Sequence, residues 1–350
     1  MRVVIADPPA YTPPYDHDLA AALAAAGAEV ELVTSRFRFG ARPTPVGYTL
    51  DEGFYPVSAR VPWNPARLAL KGLEHPVGMR RLLRRRCDVL HIQWLSSPGL
   101  DVRLLHPRGP AVFTAHDILP RRTAHRAGMW EAIFSRFARV IVHSERGKER
   151  LVAFGLPEAQ VAVIPHPVFR SSPTRQDDGR TVLALGVIRP YKGLDDTIAA
   201  LTRIPDARLL VAGDPRIPLD ALRAAAGPTA EWRLGYLGPP EIEDALSRAT
   251  VAVFAYREEL DQSGALLQAL GAGVPAVVYD VGGLGEVVRR YDAGAVVEPG
   301  DVDALAGALA RLLDDPAALA TARAGAARAR DELTWEASAQ AHLAVYRAVS

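Results

Sequence analysis

Residues 183–201 read LALGVIRPYKGLDDTIAAL. The stretch begins as an apolar run ended by Gly186, the pattern of a strand buried on both faces. It ends with Leu194, Ile198 and Leu201 spaced to share one face of a helix, with Asp195 and Asp196 in the first turn. Arg189 and Lys192 stand in the short connection, and Gly193 closes its turn. A strand joined to a helix by a few residues is the building unit of a parallel sheet covered by helices.

The unit repeats in both directions along the chain. Beyond it, strands are expected at Thr181–Gly186, Arg208–Ala212, Arg233–Tyr236, Val251–Phe254, Ala276–Tyr279 and Ala295–Val297. Helices are expected near Leu194–Leu201, Leu219–Ala226, Pro240–Arg248, Gly264–Gly271, Leu284–Arg290 and Val302–Asp314. Before it, strands are expected at Val3–Ala6, Glu29–Thr34, Val89–Trp94, Ala111–Ala115, Val140–His143 and Ala162–Pro165, with a helix at Asp16–Ala26. The polar segment Arg170–Arg180 reads as a linker. The expectation is an α/β chain of two doubly wound, Rossmann-like domains facing each other across a cleft, 1–169 and 170–333. A C-terminal helix over 334–350 would pack back toward the first domain. In open sheets of this kind ligands sit beyond the C-terminal ends of the strands.

Bulk properties agree with that division. A chain of 350 residues is longer than one core usually supports. Its apolar content of 49% and charged content of 23% are those of a globular protein. The net charge of +1 conceals about +7 on residues 1–169 and about −6 on the remainder. The densest basic run is Met79–Arg86, MRRLLRRR. As a helix it would set Arg80, Arg81, Arg84 and Arg85 mostly on one side: a solvated face, or one that meets an anionic membrane surface or acidic acceptor. No aromatic platform is interleaved with these arginines, which argues against nucleic acid. With one cysteine, Cys87, and no apolar leader or spanning run, a cytoplasmic chain is expected, either free or peripheral at the inner membrane surface.

Arg189 and Lys192 would repel each other unless something anionic lies between them. Arg offers a planar fork and Lys a point charge, and both suit phosphate oxygens. Residues 253–278, VFAYREELDQSGALLQALGAGVPAVV, hold a second anion-binding feature. Ser263 is placed to cap a helix whose first residue, Gly264, lets a ligand approach the backbone amides. A diphosphate shared between strand end and helix start would use both.

These residues carry a resemblance. Gly186–Gly193, G-x-I-R-P-Y-K-G, resembles the retaining glycosyltransferases of family four, which have the two-domain GT-B fold. So do Y-R-E…Q-S-G-x-L…G-x-P at Tyr256–Pro275, V-G-G-L-x-E at Val281–Glu286, P-G-D-x-x-A-L-A at Pro299–Ala306 and the terminal Thr334-Trp335…Tyr346. The first half matches more thinly, through H-x-Q-W at His91–Trp94, T-A-H-D at Thr114–Asp117, V-H-S-E at Val142–Glu145 and I-P-H-P at Ile164–Pro167.

The resemblance implies a C-terminal domain that binds a nucleotide-diphosphate sugar and an N-terminal domain that binds an acceptor. It makes Arg189 and Lys192 the contacts to the donor diphosphate and His116 a residue near the donor sugar. Gly186, Ser263, Gly264 and Gln268 fall on the donor side. Glu259 is there too, beside the position of a family glutamate but out of register. Tyr236 belongs to the turn Leu234–Leu237 where the base would rest. It implies front-face transfer, with the leaving phosphate taking the acceptor proton, and no metal or other cofactor. Nine histidines without ligand spacing agree with the last point. Asp301-Val302-Asp303 reads as a helix cap rather than a metal motif.

Two departures from the family pattern stand out. Where relatives carry a Glu, seven residues and a second Glu, this chain has Leu260 and Gln268. Where relatives often have a Gly-rich first loop, it has DPPAYTPPYDHD at Asp7–Asp18, whose prolines have no N–H to offer a phosphate. That loop is expected to shape an acceptor pocket with Tyr11, Tyr15 and Asp16. Trp94 joins the acceptor candidates, while His91 reads as packing and His143 and His166 remain open. Two other readings stay open: a GT-B epimerase or hydrolase of the sugar nucleotide, and a catalytically weak nucleotide-binding partner subunit.

Overall fold

The computed structural model describes residues 1–350 apart from 41, 63, 64, 120–122 and 259. It divides into two units: Met1–Pro165 with Trp335–Ser350, and His166–Thr334.

The first unit is a parallel sheet of seven described strands. They are β1 (Arg2–Asp7), β2 (Glu29–Thr34), β3 (Thr49–Asp51), β4 (Val89–Ile92), β5 (Ala111–Thr114), β6 (Arg139–Val142) and β7 (Val161–Val163). The order is β3-β2-β1-β4-β5-β6-β7. Strands β1, β4 and β5 are almost wholly buried because helices cover both faces. The helices are α1 (Pro13–Ala25), α2 (Pro65–Leu82), α3 (Pro98–Leu104), α4 (Ala127–Phe134) and α5 (Glu145–Phe154).

The second unit repeats the design with α6 (Leu194–Leu201), α7 (Asp220–Ala226), α8 (Pro239–Arg248), α9 (Gly264–Gly271), α10 (Leu284–Tyr291), α11 (Val302–Asp314) and α12 (Pro316–Glu332). Its strands are β8 (Thr181–Leu185), β9 (Arg208–Gly213), β10 (Glu231–Leu234), β11 (Val251–Phe254), β12 (Ala276–Tyr279) and β13 (Gly294–Val297), in the parallel order β10-β9-β8-β11-β12-β13. In each sheet the strand order reverses once, between β1 and β4 and between β8 and β11. Those two reversals are where an open sheet leaves a crevice for a ligand.

The last helix, α13 (Trp335–Arg347), belongs to the first unit. The Tyr346 hydroxyl lies 2.6 Å from Nδ1 of His91, which is buried in β4. Burial holds His91 well below the usual histidine range, so the ring is neutral. Its Nε2 meets Thr114 Oγ1 at 2.7 Å. Tyr346→Phe would remove the nearer partner of His91 Nδ1, leaving Gln93 Nε2 at 3.3 Å, and is expected to cost about 1 kcal/mol. Thermal unfolding of the variant measures this; an unchanged midpoint would show that the bond contributes nothing net.

Several expectations shift. Helix α1 starts three residues early, at Pro13, because proline is at home in the first turn, where its missing N–H has no partner to lose. Half of the expected loop Asp7–Asp18 is therefore helical. The arginine run does not continue as a helix: α2 stops at Leu82, and Arg85 turns inward to pair with Glu31 and Asp51. The divide between the units falls at Pro165–His166. Residues 166–169 are tied to the second unit by Val168 N–H donating to Leu333 O at 2.9 Å and by Phe169 against α9. The polar stretch expected as a linker is likewise fastened there, through Asp177 to Arg175 and Arg323. Strands β3 and β10 and helix α12 also differ from the sequence reading. β3 and α12 were not anticipated, and β10 lies two residues earlier than expected.

Candidate functional site

In the second unit the loops after β8 and β11 meet at the order reversal. Gly186 leaves β8 with φ +108°. Arg189 is extended, and Pro190–Lys192 makes a single 3-10 turn. Arg257 N–H donates to Tyr191 O at 2.7 Å, which ties the two loops together. Lys192 folds back over the sheet, so that a Cβ on Gly186 would lie 3.3 Å from its Nζ.

Lys192 Nζ donates to Tyr256 Oη at 2.8 Å and lies 4.5 Å from the centre of that ring. Tyr256 Oη is 3.1 Å from Ser263 Oγ. Ser263 Oγ in turn accepts Leu266 N–H and caps α9. One hydrogen-bonded line thus runs from the Lys192 ammonium to the start of α9. Both ends favour an anion: a cation at one, a helix N-terminus at the other. Tyr256 is buried, and its hydroxyl rather than a carboxylate is what holds the ammonium. Arg189 is exposed, and its side chain makes no ion pair or hydrogen bond among the described residues. By contrast Arg257 is fully used, gripping Asp195 at 2.8 Å and Asp196 at 2.5 Å.

Gly186, Lys192, Ser263 and Gly264 are thus brought together, and Gln268 lies one turn further along α9. Tyr236 is exposed in the loop after β10. Glu259 lies outside the described residues. Tyr256 was missed as a site residue. Its signal was its place, two residues beyond the end of β11.

In the first unit the loops after β1, β4 and β5 meet at the other reversal. Trp94 and His116 stack with ring centres 5.2 Å apart and planes at 13°. Tyr11, which is 59% exposed, sets its edge against Trp94 at 5.4 Å. Tyr15 is buried and meets His116 edge-on at 4.7 Å and Trp335 at 5.2 Å. His116 Nε2–H donates to Gln93 Oε1 at 2.8 Å, and its Nδ1 is 3.4 Å from His143 Nε2. His143 Nδ1–H donates to Ile164 O, and burial lowers its pKa to about 4, so it stays neutral. The His116 ring, stacked on Trp94, forms one surface with Tyr11. Sequence reasoning missed Gln93 and Thr12. Trp94 Nε1–H donates to Thr12 Oγ1 at 2.8 Å, fixing the indole. Asp16 is only 2% exposed in the first turn of α1.

The arginine run sits at the other end of this sheet. Arg2, Arg84, Arg85, Arg86 and Arg108 line a cavity of about 520 Å³ by the starts of β1, β4 and β5. Among the described residues no group of three or more His, Cys, Asp or Glu could hold a metal ion. No described helix is long and apolar enough to cross a membrane.

Comparison with known proteins places both units in one architecture. Residues 15–170 match the family model described as Glycosyltransferase Family 4, and residues 179–315 match Glycosyl transferases group 1. The glycogen synthase of Mycobacterium tuberculosis is 37% identical over 176 residues, which is 48% of this chain and 42% of that protein. The chain therefore matches under half the length of that relative. Two solved structures follow nearly the whole chain. Sucrose-phosphate synthase from Thermosynechococcus elongatus superposes with a TM-score of 0.76 at 21% identity, covering 99% of this chain and 98% of that one. The Anabaena protein HepE, in complex with UDP and glucose, does so with 0.73 at 15% identity, covering 99% and 100%. The fold is GT-B, built from two Rossmann-like α/β units with parallel sheets.

Proposed function

We propose that the chain is a glycosyltransferase that moves a sugar from a nucleoside-diphosphate sugar to an acceptor hydroxyl with retention of anomeric configuration. The observation that carries this reading is the line Lys192–Tyr256–Ser263, with the unpaired Arg189 beside it, at the order reversal of the second sheet. The family matches of both halves support it, as does the UDP and glucose bound by a protein of the same fold.

On this reading Arg189 and Lys192 hold the diphosphate and stabilise the charge that grows on the departing phosphate. That phosphate accepts the proton of the attacking hydroxyl on the same face of the sugar, so no second carboxylate is needed as a base. Gln268, where relatives carry the second Glu, meets the ribose hydroxyls through a neutral amide, a weaker contact than a carboxylate makes. Tyr236 borders the base. Tyr11, Trp94 and His116 form the acceptor side. The five-arginine cavity lies by the strand starts, away from these residues. It therefore meets an extended anionic part of the acceptor, or an anionic surface, rather than the reacting hydroxyl.

The test is nucleoside-diphosphate release from UDP-, GDP- and dTDP-sugars, with and without a panel of hydroxyl acceptors. The configuration of any product is read by NMR. Release that needs an acceptor, with the donor's anomeric configuration kept, is the expected result. Release without an acceptor would favour the hydrolase or epimerase, and binding without release would favour the partner subunit. An inverted product would end the retaining mechanism.

A further inference from the structure

At the end of β1, against the first turn of α1, two carboxyl groups are buried together. Asp7 is 0% exposed and Asp16 2%. Asp7 Oδ2 accepts Tyr11 N–H at 2.7 Å and Thr12 N–H at 3.1 Å. Asp16 Oδ2 accepts Thr12 Oγ1–H at 3.2 Å. The remaining oxygens, Oδ1 of each, are buried and meet no N–H or O–H of any described residue. Both carboxyls close on the same residue, Asp7 on the Thr12 N–H and Asp16 on the Thr12 hydroxyl, so they stand close together with one buried oxygen of each left over. Two buried carboxylates this close resist carrying two charges, and one proton held between them satisfies both.

We propose that Asp7 and Asp16 hold one proton between them, and that this shared proton is the positioning element for the Tyr11–Trp94 face. The proposal rests on the reading that this face meets the acceptor. The directions of the bonds leave one consistent assignment. Trp94 Nε1–H donates to Thr12 Oγ1, and Thr12 O–H donates to Asp16. Protonated Asp16 donates to Asp7, whose charge is then met by the amides of Tyr11 and Thr12. The loop those amides belong to is under strain. Ala10 has φ +54°, which a residue with a Cβ adopts at a cost, and the Asp7 bonds to the next two amides hold it there. Asp7 and Asp16 reach no solvent, so they act through Thr12 and the loop rather than on substrate.

Burial is the largest influence on both groups. It pushes Asp7 up to about 6 and, with the charge of Asp7 added, Asp16 well above the carboxylate range. The sign follows: an acid whose folded pKa is raised loses its contribution as pH rises through that value. As pH rises the pair gives up its last proton, and two buried charges then repel. The other groups that act on the pair are Lys71 of α2, whose charge reaches Asp7, and Tyr48, which senses Asp16. His17 and Asp18 follow in α1, the first lowered to about 4 and the second raised to about 6, and Arg42 acts on His17. The loop amides of Tyr11 and Thr12 bond to Asp7 and to none of these groups.

The test compares the wild type with Asp16→Asn and Asp16→Ala in the full chain. Asparagine carries a permanent N–H where the shared proton sits. Amide hydrogen exchange of Tyr11 and Thr12, corrected for intrinsic rate, is followed as pH rises from about 6. The wild type is expected to lose protection with rising pH, and Asp16→Asn to keep it. Asp16→Ala is expected to lose protection by about tenfold already at neutral pH, the size of one hydrogen-bond equivalent. In the transfer assay, Asp16→Ala raises the acceptor KM above that of Asp16→Asn while the donor KM is the same in both. If Asp16→Asn is as unprotected as Asp16→Ala, or shows the same alkaline loss as the wild type, the shared proton is not the positioning element. Should Asp16→Ala fail to fold, the comparison of wild type with Asp16→Asn decides alone. Exchange needs no turnover. An absence of transfer would therefore count against the glycosyltransferase reading and leave the exchange result to judge this one.

Discussion

Lys192→Ala is expected to lower turnover about 100- to 1000-fold, the range for removing one group aimed at charge that develops in a transition state. The partner of the ammonium is the hydroxyl oxygen of Tyr256, 2.8 Å away, and among the described residues no carboxylate pairs with it. A positive group so placed is preorganised for an anion and need not break an ion pair to meet one. The ground-state diphosphate already carries charge, so donor affinity also falls, but by less, because Arg189 and the start of α9 remain. A fall in donor affinity with turnover unchanged would mean that Lys192 serves binding only. Tyr256→Phe separates position from charge. It keeps the ring under the ammonium but removes the oxygen that orients it, so its effect should be smaller than that of Lys192→Ala.

Much of this arrangement was legible before the structure. Leu183–Leu185 reads as a buried strand and Leu194–Leu201 as a one-faced helix because each pattern is set locally by burial on a known period. Ser263 could be placed as a cap for the same reason: capping depends on the three residues that follow. What was not legible depends on partners distant in the chain. Tyr256 matters because Lys192 reaches it across 64 residues, and Trp94 is fixed by Thr12 across 82. The arginine run misled because helix periodicity carries no record of Glu31 and Asp51, which draw Arg85 inward beyond the last turn of α2. The Asp7–Asp16 pair was hidden by a different cause. Two prolines made Asp7–Asp18 read as one loop, whereas prolines in a first helical turn hide a helix start, and it is that start which brings Asp16 back onto Asp7.

Gly193→Ala is expected to damage the second unit more than any ordinary surface change, and to do so by moving Lys192. Gly193 has φ +61°, a conformation that costs a residue with a Cβ about 1–2 kcal/mol. Space is the larger problem. A Cβ there would lie 2.0 Å from the carbonyl oxygen of Ala255, a backbone atom at the end of β11. Neither partner can swing aside as a flexible side chain would, so the turn Pro190–Lys192 or the residues leading to Tyr256 must shift. Strain and displacement together should cost about 3 kcal/mol or more, which places the variant in the tail of single substitutions. Gly273→Ala is the control. Gly273 has nearly the same backbone angle, φ +71°, but an added Cβ would meet nothing within 4 Å. It should lose only the strain, about 1 kcal/mol, and keep its affinity for UDP. Denaturant unfolding of both variants, with UDP titrated into each by calorimetry, measures the two effects separately. Equal destabilisation would mean that the Ala255 carbonyl yields without cost. If Gly193→Ala kept the affinity of the wild type for UDP, the turn carrying Lys192 would not be what holds the diphosphate.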